Sequence, residues 1–401
     1  MLSKAACIYS ICCSLFFITE IQGTPKEQEK KIDPPVPTSK DSVPARVEIS
    51  SDVYLQGYIQ ALVDVNYYEY RVNIQVKEGK VYIYNLPNNE LLANSIVSYV
   101  KDLPGVKGVE IVEKPPAEVE QEHEKYIGGP RVEGVWFPQS TALFAPLIAD
   151  PRQPIYSAAM RFGDKVIGQI VAAVSLGDDF PIFRWRNVFR WQGDMQIGIE
   201  AGIWSVFNYW HLPKRVDEWS ELVNTDFFVG IPLTYSVDKW SFRYRIYHIS
   251  SHLGDEFLIT HPEYIAKRRN LSIEAMDLFL SYQASKHLRL YVGPGAVFHS
   301  DRSFPFKPMY IEYGVELRIF GQKLDYHSLY GTPFFAMHIE NWQERRWDYD
   351  FTFMLGYELS KLQGVGRKMR LFVEYNQGFS YEGQFFDKRD EYWEIGFSWG
   401  F

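Results

Sequence analysis

Glu391-Tyr-Trp-Glu-Ile-Gly-Phe-Ser-Trp-Gly-Phe401 closes the chain, and the parity of this stretch decides the fold. Taken two residues at a time, Trp393, Ile395, Phe397, Trp399 and Phe401 share one face. Tyr392, Glu394, Gly396, Ser398 and Gly400 share the other. A strand whose apolar face meets lipid needs an aromatic-rich outer face and a polar or small inner face. Both faces must also have their backbone bonds satisfied, which in hydrocarbon means a closed barrel. The ending predicts a transmembrane β-barrel.

Working backwards, the same alternation recurs. Ile311, Tyr313, Val315, Leu317 and Ile319 alternate with Glu312, Gly314, Glu316 and Arg318. Ile197, Ile199, Ala201 and Ile203 alternate with Gln196, Gly198, Glu200 and Gly202, and Trp347 to Leu355 alternates with Asp348, Asp350, Thr352 and Gly356. Twelve strands are predicted, at 155–163, 166–176, 194–206, 226–237, 239–250, 272–284, 287–298, 309–320, 332–341, 347–359, 368–378 and 391–401. With the N-terminus in the periplasm, the long polar connections at 207–225, 251–271, 299–308 and 379–390 all face outside, and the short turns at 237–239 and 284–287 face the periplasm. Short periplasmic turns and longer external loops are the usual pattern. The proline-broken segment Trp136 to Pro154 precedes the first strand and is expected to pack under or inside the barrel.

The remainder is envelope-like. Residues 1–23 read as a secretory signal, with Lys4 ahead of an apolar run and all three cysteines (Cys7, Cys12, Cys13) inside it. The mature chain would then lack thiol or disulfide chemistry. A charged, proline-rich stretch at 24–49 reads as a disordered linker, and 115–133 as an acidic linker. The net charge of −8 without a basic cluster argues against nucleic acid.

Residues 50–114 are predicted to form a small unit in the order α-β-β-α-β. Its strand and turn at Glu78-Gly-Lys80 and its run Leu103-Pro-Gly-Val-Lys-Gly-Val109 resemble the BON domain of bacterial envelope proteins, a family associated with phospholipid surfaces. The likeness departs at Asn85, where that family usually has Gly. The terminal Phe401 resembles the C-terminal signal of bacterial outer-membrane barrels. That likeness implies recognition of the last strand by the barrel assembly machinery, with outer-membrane lipids as the other partner.

Chemistry concentrates at the end of the fifth strand, Arg243-Tyr-Arg-Ile-Tyr-His248-Ile-Ser250-Ser-His252-Leu-Gly-Asp255-Glu256. By parity Trp240, Phe242, Tyr244, Ile246, His248 and Ser250 face lipid, where unpaired polar groups are costly. A His two residues from a Ser on one face can act as its base. Glu274, outward on the next strand with Met276, Leu278 and Leu280, is the candidate orienter, and Asp255 and Glu256 compete for that role. The arrangement resembles outer-membrane phospholipase A and the lipid A deacylases, which implies catalytic Ser250, His248 and Glu274 acting on acyl esters, with calcium as the implied cofactor. It departs from them at Ser251-His252, where those enzymes carry Asn-Gly. The alternative is an ordinary loop approach with His248 satisfied by Glu274 or water. A metal set of His252, Asp255, Glu256 and His261 lacks diagnostic spacing. No other cofactor or metal is expected.

From Phe137 to Phe401 the chain also resembles an uncharacterised family of bacterial outer-membrane barrels, a domain of unknown function. The likeness is carried by Phe144-Ala-Pro-Leu-Ile-Ala-Asp-Pro-Arg152, Trp191-Gln192 through Gly198-Ile-Glu-Ala-Gly202, Thr225 to Pro232, Tyr247 to Glu256 and Tyr381-Glu-Gly-Gln-Phe385. The combined expectation is an integral outer-membrane barrel with a structural or surface role or limited permeation, and an acyl hydrolase as the alternative. Mixed inward charges (Arg243, Arg245, Asp277, Glu312, Glu316, Arg318, Asp348, Asp350, Arg370, Glu374) favour a packed interior over a single-sign pore.

Overall fold

Along each strand an exposed apolar face alternates with a buried polar one, and the strands form a closed barrel. The structure, a computed structural model, describes residues 51–112, 134–209, 220–319, 329–362 and 364–401. The signal segment at 1–23 and the linkers at 24–49 and 115–133 lie outside the described residues.

Twelve antiparallel strands close on themselves among these residues. They are β5 Tyr156–Phe162, β6 Ile170–Val188, β7 Gly193–Asn208, β8 Glu221–Val237, β9 Trp240–Leu253, β10 Ser272–Gln283, β11 Leu288–Ser300, β12 Met309–Arg318, β13 Tyr330–Trp342, β14 Tyr349–Ser360, β15 Lys368–Phe379 and β16 Arg389–Gly400. Closure runs from β16 to β5, with Trp393 opposite Phe162 and Trp399 opposite Tyr156. All twelve predicted strands are present within a few residues. The main difference is β6, which runs through 177–188 and carries β4 (Gly134–Trp136) along its far half. Pro181 stays within that strand at a register shift, where a missing N–H is tolerated.

The closing strand shows the expected faces. Trp393, Ile395, Phe397 and Trp399 are 45–57% exposed, while Glu394 and Ser398 are buried. Phe401 departs from them: past Gly400 the strand has ended, and its ring is buried beneath the Arg367 guanidinium, 4.4 Å from the ring centroid. Asp348 also leaves the predicted interior set, pairing with Arg389 at the rim.

Residues 51–112 contain α1 Ser51–Asn66, β1 Asn73–Lys77, β2 Lys80–Tyr84, α2 Glu90–Lys101 and β3 Gly108–Ile111, in the predicted order. Ile59 and Val63 of α1 and Leu92, Ile96 and Val100 of α2 pack with Ile74, Val76, Val81 and Ile83 of the sheet. The β1–β2 turn needs left-handed backbone at Glu78 (φ 55°) and Gly79 (φ 79°). Asn85, at φ 58°, is a residue that tolerates this conformation in place of glycine.

This unit docks on the barrel end that carries the shortest turns. Asn89 caps α2 by accepting from Leu92 N, and the Glu90 amide donates to Asp238 O at 2.9 Å, at the β8–β9 turn. Lys239 pairs with Glu90 at 3.3 Å, and Tyr330 donates to Asp102 at 2.9 Å. Leu362 and Val365, from the β14–β15 connection, complete the small unit's apolar core. From the same side, residues 137–155 thread into the barrel.

Candidate functional site

Two places gather chemically competent side chains: the outer face around His248 and the interior beneath the threaded segment.

On the outer face, β9 and β10 pair so that Glu274 lies directly opposite His248, and Ser272 opposite Ser250. The long spacing between Ser250 and Glu274 is taken up by two short helices, α3 Asp255–Thr260 and α4 Glu263–Lys267, and the strands still form one hairpin. His248 Nδ1 lies 2.9 Å from Glu274 Oε1, the acid–imidazole contact the sequence anticipated. Sequence reasoning missed a third member. A register shift between Glu274 and Ala275 in the pairing with β11 puts His299 opposite Glu274, and its Nδ1 bonds Glu274 Oε2. The pattern that could have shown it is the adjacent Phe298-His299 pair, both exposed, because a bulge presents consecutive residues outward. Glu274 therefore bridges two imidazoles, about a third exposed. No side-chain hydrogen bond joins His248 to Ser250 among the described residues. Asp255 and Glu256 sit in α3 rather than on the ring, and His261 lies 4.0 Å from Glu221, apart from a shared metal geometry with His252.

Ion pairs cross the interior. Arg245 bridges Glu200 (2.8 Å) and Asp277 (2.6 Å), and Glu358 holds Arg318 (3.1 Å) and Arg370 (3.2 Å). Arg161 joins Glu394 (2.9 Å) to Glu382 (2.7 Å). The threaded segment is tied to this network. Glu316 accepts from the Ile148 amide at 3.0 Å while bonding Arg289 and Arg318, and Arg289 donates to the carbonyls of Ala145 (2.8 Å) and Pro146 (3.1 Å). Arg152 pairs with Asp226 and with Tyr381 O. At the short-turn end Arg184, fully buried, donates to Thr141 and to Tyr70 of the small unit. Two interior cavities have volumes of about 80 and 100 Å³, each enough for a few waters.

Within the interior, Asp150 of the threaded segment and His338 and Glu340 of β13 hold candidate metal-ligand atoms within 4.8 Å of one another. The sequence reading passed over them. The β13 parity Phe334, Ala336, His338, Glu340 already aimed them inward, but Asp150 comes from a stretch with no periodicity.

The barrel is similar to outer membrane phospholipase A from Escherichia coli, at 12% identity and TM-score 0.42, over 62% of this chain and 93% of that one. It is similar to the Salmonella typhi outer membrane phospholipase dimer with bound calcium at 14% identity and TM-score 0.41, over 64% and 93%. LpxR from Salmonella typhimurium follows at 11% and 0.32, over 61% and 100%. Scores at this level transfer no residue's role. No curated protein sequence matches significantly. A family model does match, over residues 69–401, and the chain belongs to that family, described as "Protein of unknown function (DUF1207)".

Proposed function

We propose that this chain is a sealed outer-membrane barrel with a structural or surface role, its short-turn end and docked α+β unit in the periplasm. The observation that carries this reading is the Glu316–Arg289–Arg318 cluster clamped onto the Ile148 amide, Ala145 and Pro146. A conducting lumen needs a water column, and here the volume is occupied by the threaded segment and cross-wall ion pairs. The exposed aromatic and aliphatic belt supports outer-membrane lipid as the barrel's immediate partner. The terminal strand supports recognition by the barrel assembly machinery. Purified protein in planar bilayers tests the sealed state: no conductance steps are expected, and discrete steps at modest voltage would overturn it.

A second reading is favoured by the 2.9 Å His248–Glu274 contact on the lipid-facing wall. In it, Ser250 Oγ attacks an acyl carbonyl, His248 takes the hydroxyl proton and passes it to the departing alcohol, and Glu274 holds the imidazole. Water then cleaves the acyl-enzyme, and calcium would serve the developing oxyanion. Fatty-acid release from phospholipid or lipid A, with and without calcium, tests it. Activity lost in Ser250→Ala with the barrel still folded supports hydrolysis, and no release from either lipid in either condition removes the reading.

A further inference from the structure

We infer that the barrel interior contains a divalent transition-metal site formed by Asp150, His338 and Glu340, with Glu312 beside His338, which fastens the threaded segment to the wall. His338 is completely buried, and its Nε2 has no hydrogen-bond partner. That nitrogen points at carboxylates: Glu340 Oε1 is 3.5 Å away and Glu312 Oε2 3.7 Å. Its other nitrogen, Nδ1, lies 2.9 Å from Tyr291 Oη, and the Tyr291 hydroxyl is 3.4 Å from Met337 O. With the hydroxyl proton directed to that carbonyl, Nδ1–H donates to Tyr291 and the Nε2 lone pair faces the acids.

Charge makes the same case. Glu312, Glu340 and Asp150 form no ion pair with a lysine or arginine among the described residues, whereas Glu200, Asp277, Glu316 and Glu358 each hold at least one arginine. Three acids face one imidazole, and the nearby Arg245 and Arg345 are already paired with Glu200, Asp277 and Asp350; buried carboxylates are normally paired or bound to metal. The spacing also suits a metal. Bonds of about 2.0–2.2 Å in a tetrahedral site separate ligand atoms by roughly 3.3–3.6 Å, close to the observed His338 contacts.

Supporting contacts orient the ligands as outer-shell groups do around metals. Tyr291 fixes the imidazole, and Trp342 Nε1 donates to Glu340 Oε2 at 2.8 Å, leaving Oε1 to face His338. The adjoining 100 Å³ cavity is lined by Asp150, Glu312 and Glu340 and reaches Phe306 and Phe386 of the long loops, which gives an approach path. One imidazole with carboxylates suits Zn²⁺ or Mn²⁺ better than a soft ion such as Cu⁺. The site joins β13 to the threaded segment, so its ion would be a cross-link inside the barrel.

The test uses the full mature chain, folded in detergent, loaded separately with Zn²⁺, Mn²⁺ or Ca²⁺, and freed of excess ion by gel filtration. Metal per folded chain is counted by mass spectrometry, and folding is read independently from heat-dependent gel mobility. One equivalent of Zn²⁺ or Mn²⁺ is expected in the wild type, with affinity falling at least a hundredfold in His338→Gln and about tenfold in Tyr291→Phe. Glu374→Gln, a buried carboxylate outside the cluster, should bind as the wild type does. If His338→Gln does not fold, Glu340→Gln carries the same expectation. Folded wild type that retains neither ion, retention of Ca²⁺ alone, or undiminished Zn²⁺ in the ligand variants would overturn the site.

Discussion

Replacing Glu316 with Ala is the sharpest perturbation of the filled interior. Its carboxylate is fully buried, accepts the Ile148 amide at 3.0 Å and sits 3.2 Å from Arg289 and 3.0 Å from Arg318. Removing it takes a carboxylate partner from two buried guanidiniums. Arg289 keeps Ser281 and two carbonyls, and Arg318 keeps Glu358, so neither is left wholly bare. Breaking a buried ion pair costs about 3–5 kcal/mol, and the amide bond belongs to the same cluster, so the two losses do not add. With a urea slope of about 3 kcal/mol per molar, the unfolding midpoint in lipid vesicles falls by roughly 1–1.7 M. Water in the lumen would change the answer: solvated guanidiniums lose only the ~0–1 kcal/mol of an exposed pair. A midpoint within about 0.3 M of wild type, with the slope unchanged, would therefore refute the packed interior.

Further outcomes follow from individual contacts. Arg184→Lys removes the forked donation to Tyr70 and Thr141, so urea unfolding should split into separate transitions for the α+β unit and the barrel; a single unchanged transition would count against that anchor. Leu362→Ala, in the β14–β15 connection, should destabilise the docked α+β unit by about 2–5 kcal/mol, read from faster amide exchange across α1 and β1. Phe401→Ala removes a ring buried against Arg367 and should reduce the yield of folded barrel, assayed by heat-modifiable gel mobility. Chelation of bound Zn²⁺ should lower the urea midpoint of the wild type and leave His338→Gln unchanged.

Much of this architecture was legible because a membrane wall enforces a strict rule. Every strand must alternate, and the alternation at Trp393 to Trp399 is visible without any partner. Strand β6 was harder to read because Asp178-Asp-Phe-Pro181 breaks the apolar pattern, next to Gly177, which packs against Pro154 and Ile155 of the threaded segment. The inward burial of Phe401 was invisible because parity stops applying once the strand ends. At the outer site, parity and hairpin pairing placed His248 against Glu274, but a bulge one position away recruited His299. The Asp150 cluster was hidden for a different reason: it joins an aperiodic segment to a strand far along the chain, and nothing local records that meeting.

The most direct test of the packed interior is thiol reactivity at Thr352, which is fully buried on the inner face of β14 and accepts from Asn376 at 2.9 Å. The three native cysteines fall at positions 7, 12 and 13, so a chain starting after residue 23 offers a clean background. Thr352→Cys in the folded, lipid-embedded barrel should resist a polar maleimide while Ser303→Cys, on an exposed loop, labels at once, and urea should equalise the two. Labelling of Thr352→Cys in the folded barrel at the rate of Ser303→Cys would contradict a filled lumen.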